Sequence, residues 1–292
     1  MKQHKLIYHG LVSRFSTLAI DLEIMQVTGF DGFEISAAKM RDVLAAGFSE
    51  KELTLQLAQV DIPGIGFLLD IERQSGDQGN LRDEAMDLFR LAKMAGAKGV
   101  QVLTGPVQVK AVEAFAAGEK SGLYEGVLRL PRKEQITVTA RNLAWLADLG
   151  KEQGLLLYLE SLAWSPLNKL ADQLEIIDRA GRSNVRMVID YWHCYASGNR
   201  PEDVARLDGN LIYGVHICDS LDFHGGIPNE VVLRDVPTGK GVLNLQEWTD
   251  AVKATGYMGW WSCELFCRRQ QQDNSFIVAR ELNSLMRSLV FG

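Results

Sequence analysis

A (β/α)8 TIM barrel, filling residues 1–292 as a single domain, is the fold that the order of elements predicts. Eight short β-type runs recur along the chain, amphipathic segments of helical length lie between them, and no G-x-G-x-x-G follows the first run, where a doubly wound dinucleotide fold carries it. In order the runs are "KLIYHG", "GFEIS", "PGIGFLL", "GVQVLTG", "LLLYLES", "VRMVID", "LIYGVHICD" and "WWSCELF". The segments "TLAIDLEIMQVTGF", "NLRDEAMDLFRLAKMAGAK", "RKEQITVTARNLAWLADLGKEQG", "NKLADQLEIIDRAGRSN", "NLQEWTDAVKATGY" and "SFIVARELNSLMRSLV" repeat apolar residues at steps of three and four, so they read as helices. Several of them reach a Gly just before the next run, the usual chemistry of a helix stop. Alternating elements imply parallel pairing with right-handed crossovers, and eight units close a barrel.

Composition narrows the function. An apolar share of 47% with 23% charged residues is that of a globular chain with a sizeable core. A net charge of -6 lacks the basic stripe that phosphate backbones require, so no nucleic-acid partner is expected. The start "MKQHKLIYHGLVSR" has no long apolar stretch and no later run approaches a membrane span, so a cytoplasmic protein with no membrane contact is expected. Cys194, Cys218, Cys263 and Cys267 fall near strand ends without a second pair at zinc-ligand spacing, and read as reduced thiols.

In a parallel barrel the strand C-termini share one face, where active sites are built. Strand two ends near Glu34, strand five at Glu160, strand six at Asp190, strand seven at His216 and strand eight at Glu264. Any one of these alone reads as a solvated or salt-bridged loop residue. Barrel packing does not require strands five to eight all to end in metal-capable groups, and an unpaired buried carboxylate is costly. Glu160, Asp190, His216 and Glu264 therefore read as ligands of one divalent metal ion. Oxygen donors with one imidazole suit Mn²⁺, Mg²⁺, Co²⁺ or Zn²⁺.

Around this set stand candidates for substrate contact. His193, three residues past Asp190, reads either as a donor to a substrate oxygen or as a loop His bonded to a backbone carbonyl. Arg234, in the long stretch from Asp219 to Leu243, reads as a bidentate clamp or as the partner of Asp235 or Glu230. Asp219 either orients an imidazole or caps its loop, and the cap is expected. Trp164, Trp192 and Trp261 lie near the same strand ends and can wall a sugar ring or fill core. The stretch from Gly105 to Arg132 also follows a strand and belongs to this face.

From Leu155 to Cys267 the chain resembles the xylose-isomerase-like superfamily of sugar isomerases and epimerases. The resemblance is carried by "LYLES", the Asp-x-x-His of "VIDYWHCYASG", "VHICDSLDF", "RDVPTGKG" and "GWWSCELF", with a weaker echo in "GFDGFEIS". Within the superfamily it is most similar to the 2-keto-myo-inositol isomerases of inositol catabolism. The resemblance implies metal ligands at Glu160, Asp190, His216 and Glu264, catalytic proton transfer by Glu160 and Glu264, and substrate contacts at His193 and Arg234; Glu34 and Trp164 join the substrate-binding set. It implies an isomerase or epimerase of a small keto-polyol working through a metal-stabilised enediolate, in a barrel of a kind that commonly forms homo-oligomers. Alternatives built from the same parts are a dehydratase similar to 3-dehydroshikimate dehydratase and a non-catalytic sugar-binding barrel. A phosphodiesterase similar to endonuclease IV needs a His-rich three-metal cluster, which five His and an acidic balance disfavour.

Overall fold

A computed structural model describes residues 4–74 and 76–292. Eight parallel strands follow one another around a closed barrel: β1 (Lys5–His9), β2 (Gly32–Ser36), β3 (Gly64–Leu68), β4 (Gly99–Leu103), β5 (Leu156–Glu160), β6 (Val185–Asp190), β7 (Ile212–Ile217) and β8 (Trp260–Cys263). Pairing of Lys5 with Trp260 and of Ile7 with Ser262 joins β1 to β8 and seals the ring. All eight predicted runs form strands.

Between and after the strands lie α1 (Leu18–Val27), α2 (Ala37–Ala45), α3 (Glu50–Leu57), α4 (Asp77–Ala95), α5 (Val109–Ala116), α6 (Arg132–Glu152), α7 (Leu170–Ala180), α8 (Tyr191–Ala196), α9 (Pro201–Val204), α10 (Glu230–Leu233), α11 (Leu245–Ala254), α12 (Arg268–Gln271) and α13 (Ser275–Phe291). The six periodic segments are α1, α4, α6, α7, α11 and α13. The β2–β3 connection adds two helices that apolar spacing does not announce. Thus α3 buries only Leu53 and Leu57, and its start is set by a capping box between Ser49 and Glu52. Among the described residues no helix is long and apolar enough to cross a membrane.

Side chains two apart on a strand share a face, and this periodicity builds the site. Ile7, Tyr158, Val188 and Trp260 form an apolar cluster of their own inside the barrel. Two residues further along the same strands come His9, Glu160, Asp190 and Ser262. One apolar layer is therefore the floor beneath a polar layer at the C-terminal mouth. Trp260 fits in that floor because its β7 neighbour is Gly214, where a Cβ would fall 2.0 Å from the indole. Outside the ring, Leu6, Ile24, Leu91, Leu143, Ile189, Val252 and Leu282 belong to the larger core between strands and helices.

The two long stretches are ordered by carboxylates that take up loop N–H groups. Asp219 accepts from Gly239 at 2.9 Å, Gly241 at 2.8 Å and Leu243 at 3.1 Å, so it caps its loop as expected. A Cβ on Gly241 would lie 2.2 Å from the Asp219 carboxylate, which explains the Gly of "PTGKG". The stretch after β4 is held from the end of β3: Asp70 accepts the Val107 N–H at 2.7 Å and Glu72 the Gly105 N–H at 2.9 Å. The second oxygen of Glu72 and the Tyr124 hydroxyl are buried without hydrogen-bond partners. Burial, then the charge of Asp70, pushes the Glu72 carboxyl up to about 7. All four cysteines are buried and free.

Candidate metal centre and active site

Strands β5 to β8 bring their end groups to one place. Asp190 lies in register with His216 and His216 with Ser262, while Glu264 follows β8 by one residue. One donor atom each from Glu160, Asp190, His216 and Glu264 lies within 4.8 Å of the others, and all four residues are buried. The opening Asp of α8 also has a local duty. Asp190 Oδ1 caps that helix by accepting the His193 N–H at 2.7 Å.

His216 is oriented from below. Its Nε2 stands 3.2 and 3.1 Å from the two oxygens of Glu34. Those oxygens also accept the Tyr158 hydroxyl at 2.9 Å and the Ser262 hydroxyl at 2.9 Å. Burial alone would raise the Glu34 carboxyl, but His216, His9 and Tyr158 outweigh it and keep it low, so Glu34 is an acceptor and the proton belongs on His216 Nε2. Nδ1 then faces Glu160 Oε1 at 3.5 Å and Glu264 Oε2 at 3.9 Å. Glu34, expected to contact substrate, has both oxygens engaged beneath the imidazole, where it positions His216, and it also lines a cavity at the mouth.

The two expected catalytic carboxyls sit in opposite environments. Glu160 accepts the Gln101 amide at 2.7 Å on Oε2, and burial, together with Glu264 and Asp190, pushes its carboxyl up to about 8. Burial pushes Glu264 the same way, but Arg234, His216 and His9 reverse the effect and hold it well below the ordinary range. Burial likewise opposes a charged His216, yet Glu34, Glu160 and Glu264 raise its pKa well above the usual value. Glu160 Oε1 and His216 Nδ1 are buried without a hydrogen-bond partner. Buried polar atoms without partners among mutually repelling carboxylates are what a divalent cation satisfies, so the donor set fits one.

Arg234 is 2% exposed and its fork lies on protein carboxylates. One Nη donates to Glu230 at 2.9 Å; the other lies 2.8 Å from Glu264 and 3.3 Å from Asp190. Its guanidinium centre stands 4.0 Å from the Phe266 ring centroid and 5.4 Å from that of Trp192. The Glu230 pair is therefore present, whereas Asp235 pairs with Arg268. His193 does not bond a backbone carbonyl. Its Nδ1 accepts the Ala163 N–H at 3.0 Å, so the ring carries its proton on Nε2, and burial lowers its pKa to about 4. Trp164 donates to the Pro106 carbonyl at 2.9 Å and stands 5.8 Å from the His193 ring. Trp261 is not at the site: strand alternation turns it outward to bond His4 at 3.1 Å, and Trp260 faces inward, 5.9 Å from His216.

Two residues of the mouth, His9 and Gln101, were not read from the chain, and a third, Glu230, was read only as a candidate partner of Arg234. His9 ends β1 and stands 3.7 Å from Glu34 and 4.0 Å from Glu264. Gln101 interrupts an otherwise apolar strand. Glu230, in the long loop, lies 3.9 Å from His193 and is pushed up to about 7 by burial against the opposing Arg234. A polar residue inside an apolar run was the available signal for the first two. His9, Glu34 and His216 also bring three donors within 4.8 Å, but the Glu34 oxygens are already spent on hydrogen bonds.

A family model described as xylose isomerase-like TIM barrel matches residues 22–288. The chain belongs to this family. Within the xylose isomerase-like family it is similar to the inosose isomerase of Halalkalibacterium halodurans, 30% identical over 123 residues, which are 41% of this chain and 43% of that protein. It is also similar to the 3-dehydroshikimate dehydratase of Pseudomonas aeruginosa, 26% identical over 260 residues, 87% of this chain and 37% of that protein. The matched stretches thus span less than half the length of these curated relatives. A solved structure of the IOLI protein with a binding zinc atom shares the fold with a TM-score of 0.84, at 21% identity over 98% of each chain.

Proposed function

We propose that this protein is a divalent-metal-dependent isomerase or epimerase of a keto-polyol of the sugar or inositol class. The observation that carries the reading is the convergence of Glu160, Asp190, His216 and Glu264 within 4.8 Å, with Glu160 Oε1 and His216 Nδ1 left without partners. Similarity to inosose isomerases supports the substrate class. A divalent cation held by these four residues would supply Lewis acidity toward a ketone oxygen and the hydroxyl beside it.

The chain's own groups account for proton movement. Glu264, kept ionised by Arg234, is the base that takes the proton from the carbon next to the ketone. Glu160, across the donor set from Glu264, returns a proton to the neighbouring carbon, or to the opposite face of the same carbon. His193, neutral with its proton on Nε2, donates a hydrogen bond to a substrate oxygen. Trp164 walls the ring, and the surrounding apolar side chains exclude water. Replacement of either Glu160 or Glu264 by Gln abolishes solvent-deuterium exchange into 2-keto-myo-inositol; exchange at the wild-type rate in either variant would overturn the assignment.

The similarity to a 3-dehydroshikimate dehydratase over 87% of this chain favours one second reading, removal of the same kind of proton followed by loss of a β-hydroxyl as water. Formation of an absorbing conjugated product from dehydroshikimate, without exchange in keto-inositols, selects it.

A further inference from the structure

His9 and His193 stand on opposite sides of the mouth and share one device. Leu11 N–H donates to His9 Nδ1 at 3.1 Å, as Ala163 N–H does to His193 Nδ1, so each ring carries its proton on Nε2. His9 Nε2 lies 3.7 Å from Glu34 and 4.0 Å from Glu264, beyond hydrogen-bond length. That donor is unsatisfied by the protein. It opens instead on a cavity of about 370 Å³ that runs from Glu264 and Gln101 past His9 to Phe67 and Arg14.

The cavity is at the small end of ligand sites, roughly 300–1,000 Å³, which suits a single-ring or short-chain molecule rather than a polymer. Its inner end holds a donor beside the carboxylates, and its outer wall offers Phe67, which is 54% exposed, as an apolar face. Arg14 at the rim has no carboxylate partner among the described residues. A polyol ring presents the complementary surface: hydroxyl oxygens at its edge and C–H groups on its face.

We propose that His9 is the donor of a second substrate subsite on the β1–β3 side of the mouth, where it binds a hydroxyl of the keto-polyol remote from the carbonyl. The proposal rests on the keto-polyol reading above and makes His9 a determinant of which polyol is accepted. Glu264 lines the inner end of this cavity, 4.0 Å from His9 Nε2, so the role of His9 is read apart from metal binding by measuring the two affinities separately.

The test measures calorimetric binding of 2-keto-myo-inositol to the full chain loaded with Mn²⁺, with Mn²⁺ affinity determined separately. Loss of one neutral hydrogen bond weakens keto-inositol binding by H9L roughly three- to tenfold at unchanged Mn²⁺ affinity. H9Q, whose amide nitrogen reaches the place of Nε2, regains most of it. Equal keto-inositol affinity in wild type and H9L overturns the subsite, and so does a parallel loss of Mn²⁺ affinity. A wild type that binds the keto-inositol without converting it overturns the isomerase reading alone, because the binding comparison still decides the role of His9; a wild type that binds none overturns both.

Discussion

The carboxylate of Glu34 lies 3.1 Å from Nε2 of His216 and thereby turns Nδ1 of the same ring toward Glu160 and Glu264. A carboxylate behind a metal-binding imidazole fixes its tautomer and raises its basicity, and loss of such a partner commonly weakens metal affinity about 10–100-fold. Glu34→Gln keeps the shape and an acceptor but removes the charge. Competition of the variant with a chelator for Mn²⁺ or Zn²⁺ is expected to show a loss of that size, with the far-ultraviolet spectrum unchanged. Undiminished affinity would mean that Tyr158 and Ser262, rather than His216, are what Glu34 serves.

Strand ends were legible because two simple rules act there. A β-type run identifies the strand, and parallel pairing sends every strand's last residues to one face, so Glu160, Asp190, His216 and Glu264 met without any knowledge of register. What lay inside the barrel was not legible, because a side chain's facing depends on which residue of the run is the first to point inward. Trp261 and Trp260 are adjacent in sequence and only the pleat decides that Trp260 looks toward His216. The same uncertainty hid His9 and Gln101, and it hid the duty of Glu34 beneath His216, whose further partners Tyr158 and Ser262 sit on strands far away in sequence. Local polar duties such as the Asp219 cap and the Ser49–Glu52 box come from short-range spacing, and only the first of them was anticipated.

Gly214 offers a test of the apolar floor that supports these groups. A methyl at this position would sit 2.0 Å from the Trp260 indole, deep in a closed ring where neither strand can move aside. Overpacking of this kind costs roughly 1–3 kcal/mol or more. Gly214→Ala therefore lowers the unfolding midpoint by several degrees in calorimetry, at about 2–4 °C per kcal/mol for a chain of this order of size. The smaller Trp260→Leu side chain, introduced together with it, recovers part of the loss; a double variant no better than the single one would place the strain elsewhere.

Glu72 makes stability depend on pH in a direction opposite to that of most carboxylates. Its folded-state pKa is raised from the ordinary 4.5 of a glutamate to about 7, first by burial and then by Asp70, so between these values the folded chain binds a proton that the unfolded chain has released. The contribution of Glu72 to stability is then fully present below about 4.5 and is lost as pH rises toward and through 7. Glu72→Gln keeps an acceptor for the Gly105 N–H and cannot ionise. Melting curves taken from pH 5 to 8 are expected to show that the variant's advantage over wild type grows with pH across this window and levels off above it. A difference between the two proteins that is flat with pH would mean that Glu72 titrates as an ordinary exposed carboxyl.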